Sequence, residues 1–127
     1  MIDFLKPFII AIVLFVILDM IFFGVIAKKF YKSEIGSSML DNPRFWSAAI
    51  VYILLALGLV LFILPTNMNI FLAGALFGLI VYGVYDFTNY TFLKSWTLPV
   101  VWLDVAWGVV ATSIVSFLTK TISLRLS

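Results

Sequence analysis

Four apolar stretches, each about as long as a bilayer is thick, decide what this chain can become. A helix needs about 20 mostly apolar residues to cross about 30 Å of hydrocarbon. Four segments of the 127-residue sequence qualify: Pro7–Ala27, Phe45–Leu64, Ile70–Leu93 and Leu98–Thr119. Inside lipid an isolated span can pair its backbone only as a helix. The sequence therefore predicts an all-α fold, an integral membrane bundle of four transmembrane helices forming one domain over residues 1–127. Composition agrees. The chain is 65% hydrophobic and 11% charged, against about 45–50% and about 25% in soluble domains. A water-soluble protein of this size cannot hide so much apolar surface.

The first stretch is expected to be a retained span rather than a removed signal peptide. Val25 and Ala27 would suit a cleavage site, but the apolar run is too long and Met1–Lys6 is only weakly basic. The connection Lys28–Arg44 is the only long polar one. Its Tyr31, Ile35, Met39 and Leu40 are expected to lie along the membrane surface as a short interfacial segment. Asp41-Asn42-Pro43 then reads as a helix start, with Asn42 as cap and Pro43 in the first turn. Pro65–Asn69 reads as a tight turn, so the second and third spans should form an antiparallel hairpin. Lys94–Thr97 is also short, and Pro99 suits the first turn of the fourth span.

Four spans place both termini on one side, with Lys6, Lys120 and Arg125. The other side carries Lys28, Lys29, Lys32, Arg44 and Lys94. This balance favours a cytoplasmic long loop. Trp46 and Trp96 fall on the long-loop side, where an aromatic belt belongs. Other features exclude chemistry. Without Cys there are no disulfides, thiol nucleophiles or thiolate metal sites. Without His the usual base near neutral pH and the commonest transition-metal ligand are missing. A net charge of +2 argues against a nucleic-acid partner and leaves the lipid bilayer as the evident one.

Against this apolar background stand Asp19, Asp86 and Asp104, each inside a span. Asp19 lies nine residues before Lys28 and Asp86 eight before Lys94, so both sit about 12–13 Å from the long-loop side. Asp104 descends from the same side and sits roughly 9–15 Å deep. The three acids are thus expected at one level and facing the bundle interior. Gly74, Gly78, Tyr82, Tyr85 and Asn89 fall on one stripe of the third span, with Asp86 beside them. Gly74 and Gly78 form a G-x-x-x-G packing face. Asp104, Trp107, Gly108, Ala111 and Thr112 share a face of the fourth span, and Asp19 shares one with Phe15, Phe22 and Phe23. The candidate polar site is therefore Asp19, Asp86, Asn89, Asp104, Tyr82, Tyr85 and Trp107, with Gly74, Gly78 and Gly108 as packing positions. No Lys or Arg lies within the four apolar stretches to neutralise it.

Several of these residues carry a resemblance. Leu18-Asp19 followed by Phe22 and Gly24, Phe30-Tyr31 in the loop, Gly74-Ala75-Leu76-Phe77-Gly78, Tyr85-Asp86-Phe87-Thr88-Asn89, Trp96 and Asp104-Val105-Ala106-Trp107-Gly108 resemble an uncharacterised bacterial family of small membrane proteins, domain of unknown function 2177. The likeness covers nearly the whole chain, and Tyr-Asp-x-Thr-Asn with Asp-x-x-Trp-Gly is its most specific part. The family often has Trp where Phe22 stands, a departure that keeps an aromatic ring. The resemblance implies a bacterial multi-pass protein of the cytoplasmic (inner) membrane and supplies neither an activity nor a cofactor.

Three functions fit an acidic layer of this kind. The first is binding or transport of a small cationic or polar solute, coupled to protons. Four helices are too few to enclose a wide path, so transport implies a homodimer. The second is a membrane enzyme acting on a lipid or isoprenoid, with oxygen ligands for Mg²⁺ or a carboxyl as general acid. No recognised metal or phosphate motif supports it. The third is a structural or accessory subunit whose neutral acids hydrogen-bond neighbouring helices. Intramembrane acids are costly and functional by default, which places binding or transport first.

Overall fold

The computed structural model describes residues 2–126, so Met1 of the N-terminal segment lies outside the described residues. Helix α1 covers Ile2–Ile21 and continues as a π turn, Phe22–Ile26. A short α2, Lys28–Ile35, ends in the 3-10 turn Gly36–Ser38. Helix α3, Phe45–Gly58, continues as a second π turn, Leu59–Ile63; α4 covers Ile70–Phe92 and α5 Leu98–Arg125. Among the described residues four helices are long and apolar enough to cross a membrane: Phe4–Ile26, Phe45–Ile63, Ile70–Phe92 and Leu98–Arg125. Large apolar side chains such as Met20, Val25, Phe62 and Phe92 stand on the outside, a surface suited to lipid and not to water. The chain is an all-α membrane bundle.

The helix ends differ from the sequence reading for local reasons. Helix α1 runs through Pro7 instead of beginning there, because the ring removes one donor and crowds one carbonyl near an end already short of bonds. Helix α5 continues past Thr119 to Arg125, since neither Gly nor Pro interrupts residues 120–125. Asn42 does not cap α3. Arg44 occupies the cap position with φ −82° and ψ 84°, without a side-chain cap bond, so the helix starts too late for Asn42 to reach its free N–H groups. The cap that forms is on α4, where Asn69 Oδ1 accepts from the N–H groups of Phe71 at 2.9 Å and Leu72 at 3.3 Å. Thr97 Oγ1 caps α5 by accepting from Val100 N–H at 3.4 Å, with Pro99 in the first turn as expected.

Helices α4 and α5 form the tightest pair. A Cβ on Gly74 would lie 2.6 Å from Ser116 Oγ and 2.8 Å from the Thr112 carbonyl. A Cβ on Gly78 would strike the Gly108 carbonyl, and one on Gly108 would strike the Tyr82 ring. Backbone touches backbone along this seam, which is how helices associate where lipid is as apolar as the side chains. This contact fixes the inward stripe of α4 as Gly74, Gly78, Tyr82 and Asp86. Tyr85 and Asn89 therefore stand on the flank, the reverse of the stripe expected from sequence.

The hairpin of α3 and α4 closes only near its turn. Gly58 lies under the Phe77 ring, and the π turn Leu59–Ile63 leans on α4. Beyond that point α3 packs on α1, burying Leu55 and Ala56 with Ala11 and Phe15. Residues 45–50 are exposed on every side. Helices α3 and α4 thus separate toward the long-loop side.

The seam makes a paired prediction on one helix. Gly78→Ala should cost about 1–3 kcal/mol, as overpacking does. Gly83→Ala meets nothing within 4 Å and should be neutral or stabilising by about 0.5–1 kcal/mol. Thermal unfolding of both variants in the same detergent checks this; equal melting shifts would mean that the seam is not close-packed.

Candidate functional site

The site begins with carboxyls that cannot be left bare. Asp19, Asp86 and Asp104 retain only 8%, 0% and 5% of their exposure. A buried carboxyl without partners costs far more than one hydrogen bond returns. The partners supplied are neutral aromatic donors. Asp19 accepts from Trp107 Nε1–H at 2.8 Å on one oxygen and from the Tyr52 hydroxyl at 2.7 Å on the other. Asp104 Oδ1 accepts from the Tyr31 hydroxyl at 2.9 Å. Asp86 Oδ1 accepts from Trp96 Nε1–H at 3.2 Å. Each ring brings one N–H or O–H at the end of an apolar body, so it can serve a carboxyl without introducing a charge.

Asp86 Oδ2 has no N–H or hydroxyl donor of its own. Its neighbour across the α4–α5 contact is the carboxyl of Asp104. Two acceptors meet there, and they form a hydrogen bond only if one of them carries a proton. Asp19 lies within electrostatic reach of Asp104, which joins all three acids in one network. Further along α5, Thr112, Ser116 and Thr119 are also fully buried, and their hydroxyls have no hydrogen-bond partner among the described residues.

Aromatic rings wall the network. Phe22 stacks on Trp107 with centroids 4.2 Å apart and planes 2° from parallel. Phe23 tilts against Tyr31 at 5.1 Å, and Tyr85 meets Trp96 edge-on at 5.9 Å. The π turn that ends α1 begins at Phe22; such turns are frequent at functional sites because they redirect side chains.

Helix α2 turns its apolar face into the bundle. Tyr31 and Ile35 are buried with Phe22, Ala27 and Val100, while Lys28, Lys29 and Lys32 remain exposed. Met39 and Leu40 stay on the surface. The helix is fastened by Thr97, whose hydroxyl donates to Glu34 Oε1 at 2.7 Å, and by the hydroxyl pair Ser38–Ser95. Beneath it, where α3 and α4 part, lies a cavity of about 540 Å³. Its walls are mainly apolar, with Val51, Leu55, Val81, Ile35 and Met39; its polar lining includes Asp19, Asp104, Tyr31, Tyr82 and Lys28.

The seven residues singled out from sequence do not all converge. Asp19, Asp86, Asp104 and Trp107 form the network. Tyr82 lines the cavity and covers Gly108. Tyr85 is 54% exposed at the cavity rim, and Asn89 pairs with Tyr85 rather than with an acid. Three donors went unforeseen. Tyr31 was expected on the membrane surface and Trp96 in the aromatic belt. Tyr52 gave one usable signal: a phenol on the same buried face as Leu55, Ala56 and Leu59 must find a partner.

This arrangement defines a multi-pass helical membrane protein with an intramembrane carboxyl network beside an apolar cavity. The model of a family described as predicted membrane protein (DUF2177) matches residues 4–121, and the chain belongs to that family. No curated protein and no solved structure matches the chain.

Tyr31 lies outside the spans, and burial followed by the negative charge of Asp104 pushes its phenol above the ordinary value of 10.0. The folded state therefore holds this proton more tightly than the unfolded state. The stabilisation is complete below about pH 10 and is lost as pH rises further, because the unfolded phenol ionises first. Tyr31→Phe should lose about 1–3 kcal/mol at neutral pH, leaving Asp104 short of a donor. It should also flatten the fall in stability above pH 10. Unfolding followed from pH 8 to 11 checks both; an unchanged alkaline slope would contradict the Tyr31–Asp104 bond.

Proposed function

We propose that the protein binds, and in a dimer transports, a small cationic or polar solute in exchange for a proton. Asp104 and Asp19 are the acceptors, and the Asp86–Asp104 pair holds the proton that departs. The observation that carries this reading is the cavity of about 540 Å³ into which two buried carboxyls open. Its volume lies within the about 300–1,000 Å³ common for ligand pockets, and few convergent polar groups on apolar walls is their usual make-up. A cation arriving at Asp104 gains far more from a carboxylate than from a carboxylic acid. Binding therefore expels the shared proton, and total charge in the site is conserved. Trp107 and Tyr52 hold Asp19 in place from the side.

Four helices form a pocket but not a path through the bilayer, so transport requires a second copy. The reading places the chain in a bacterial cytoplasmic membrane with the Lys28–Arg44 segment on the cytoplasmic side. The lipid-enzyme reading has less support. Among the described residues no group of three acidic side chains is arranged to hold a metal ion. A purely structural role leaves the cavity without an explanation.

Titration calorimetry with a series of organic ammonium ions, in two buffers of different ionisation enthalpy, tests the proposal. An ammonium ion should bind with release of about one proton. Asp104→Asn should weaken that binding by about tenfold or more, roughly 1.4 kcal/mol. Asp86→Asn should keep the fold and the binding but abolish proton release, because its amide donates permanently to Asp104. If no ion binds, or if both variants behave like the parent protein, the aspartates are packing groups.

A further inference from the structure

Resting on that reading, we infer that the solute is an amphiphilic cation that reaches the cavity sideways from the lipid, through the gap between α3 and α4. Two routes lead to Asp104, and the structure treats them differently. From the water side, α2 forms a roof. Its Tyr31 hydroxyl is bonded to Asp104, and Glu34 is tied to the start of α5. Lys28, which lines the roof, is exposed and repels a cation coming from that direction.

The side is open. Val51 of α3 and Tyr85 of α4 both line the cavity and are about half exposed, so they mark the edges of its mouth. Val51 is six residues past Phe45 and Tyr85 seven before Phe92, which puts the mouth about 9–11 Å below the helix ends. With the helix ends at the headgroups, that depth is the outer acyl region of the leaflet. Amphiphilic cations collect there, with the charge toward the headgroups and the chain among the lipid tails. The cavity has the matching division: carboxyls at its inner wall and aliphatic side chains toward the mouth. A phospholipid tail would fill the volume but would leave the carboxyls without a partner, and this is the alternative to be tested.

The test uses the full chain in lipid nanodiscs, with Trp46→Phe and Trp102→Phe removing two outward-facing indoles so that Trp96 and Trp107 report. The probe is an alkyl-trimethylammonium ion with bromine on its chain, a contact quencher. Quenching should saturate, resist competition from excess tetramethylammonium, and weaken by about tenfold in Asp104→Asn. Val51→Phe and Val81→Phe, two independent plugs, should each slow binding while leaving the melting temperature within a few degrees. If tetramethylammonium competes equally well, or if neither plug slows the probe, the solute comes from water; the lateral route is then wrong and the cation-binding reading stands. Quenching that does not saturate, or that brominated phosphatidylcholine reproduces with no dependence on Asp104, means that the cavity takes lipid tails. Both readings then fail.

Discussion

A carboxyl placed in hydrocarbon must be answered from within the protein, and the rest of this structure follows from how that is done. The nearest basic residues along the chain are nine positions from Asp19, eight from Asp86 and ten from Asp104, so no cation stands within two helical turns of an acid on its own span. Four aromatic side chains supply donors instead: Tyr31, Tyr52, Trp96 and Trp107. Their rings are large enough to exclude water, and each has one polar atom to spend. The result is a polar network with no internal positive charge. Among the described residues its fully buried oxygen without a hydrogen bond is Asp86 Oδ2, and the carboxyl beside Asp86 is that of Asp104. Low dielectric makes such a network stiff and its one open position energetically important.

The cavity is the counterpart of the glycine seam. Helices α4 and α5 approach until their backbones touch, and α1 covers the other flank of α5. Helix α3 then has one neighbour along most of its length and a second only at the π turn. Farther from the turn, α3 and α4 face each other across the cavity, whose lining includes Val51 and Leu55 of α3 and Val81, Tyr82 and Tyr85 of α4. Tight packing on one side of the bundle thus creates room on the other, directly in front of Asp104.

Much of this was legible in the residues, and the reason is periodicity. Apolar run lengths give the four spans, and the acids stand out as the charged residues inside the apolar stretches. Spacing by three and four gives Gly74, Gly78 and the face Asp104, Gly108, Ala111 and Thr112. What periodicity cannot carry is contact between distant segments. Tyr31 and Asp104 are 73 residues apart and Trp107 and Asp19 are 88 apart. Tyr31 and Trp96 also look like interface residues, since a phenol or indole near a span end sits comfortably at the headgroups. Only the packing of α2 onto Phe22 and Val100 draws Tyr31 inward. The misplaced stripe of α4 has the same origin: Tyr85 and Asp86 are adjacent, and the seam with α5 decides which of them points in.

The separations within the network also set an order of events during synthesis. A chain made from its N-terminus delivers Asp19 to the membrane first. Tyr52, 33 residues later, is the earlier of the two donors that bond it in the folded protein, and it arrives with the second span. Asp86 follows in the third span and gains Trp96 from the connection just after it, ten residues away. Asp104 and Trp107 come last, in the fourth span, and with them the second donor to Asp19 and the shared carboxyl contact. Tyr31, made long before, then gains both its acceptor Asp104 and the Val100 against which α2 packs. The span made last thus contributes Asp104 and Trp107, the two residues that join the earlier parts into one network.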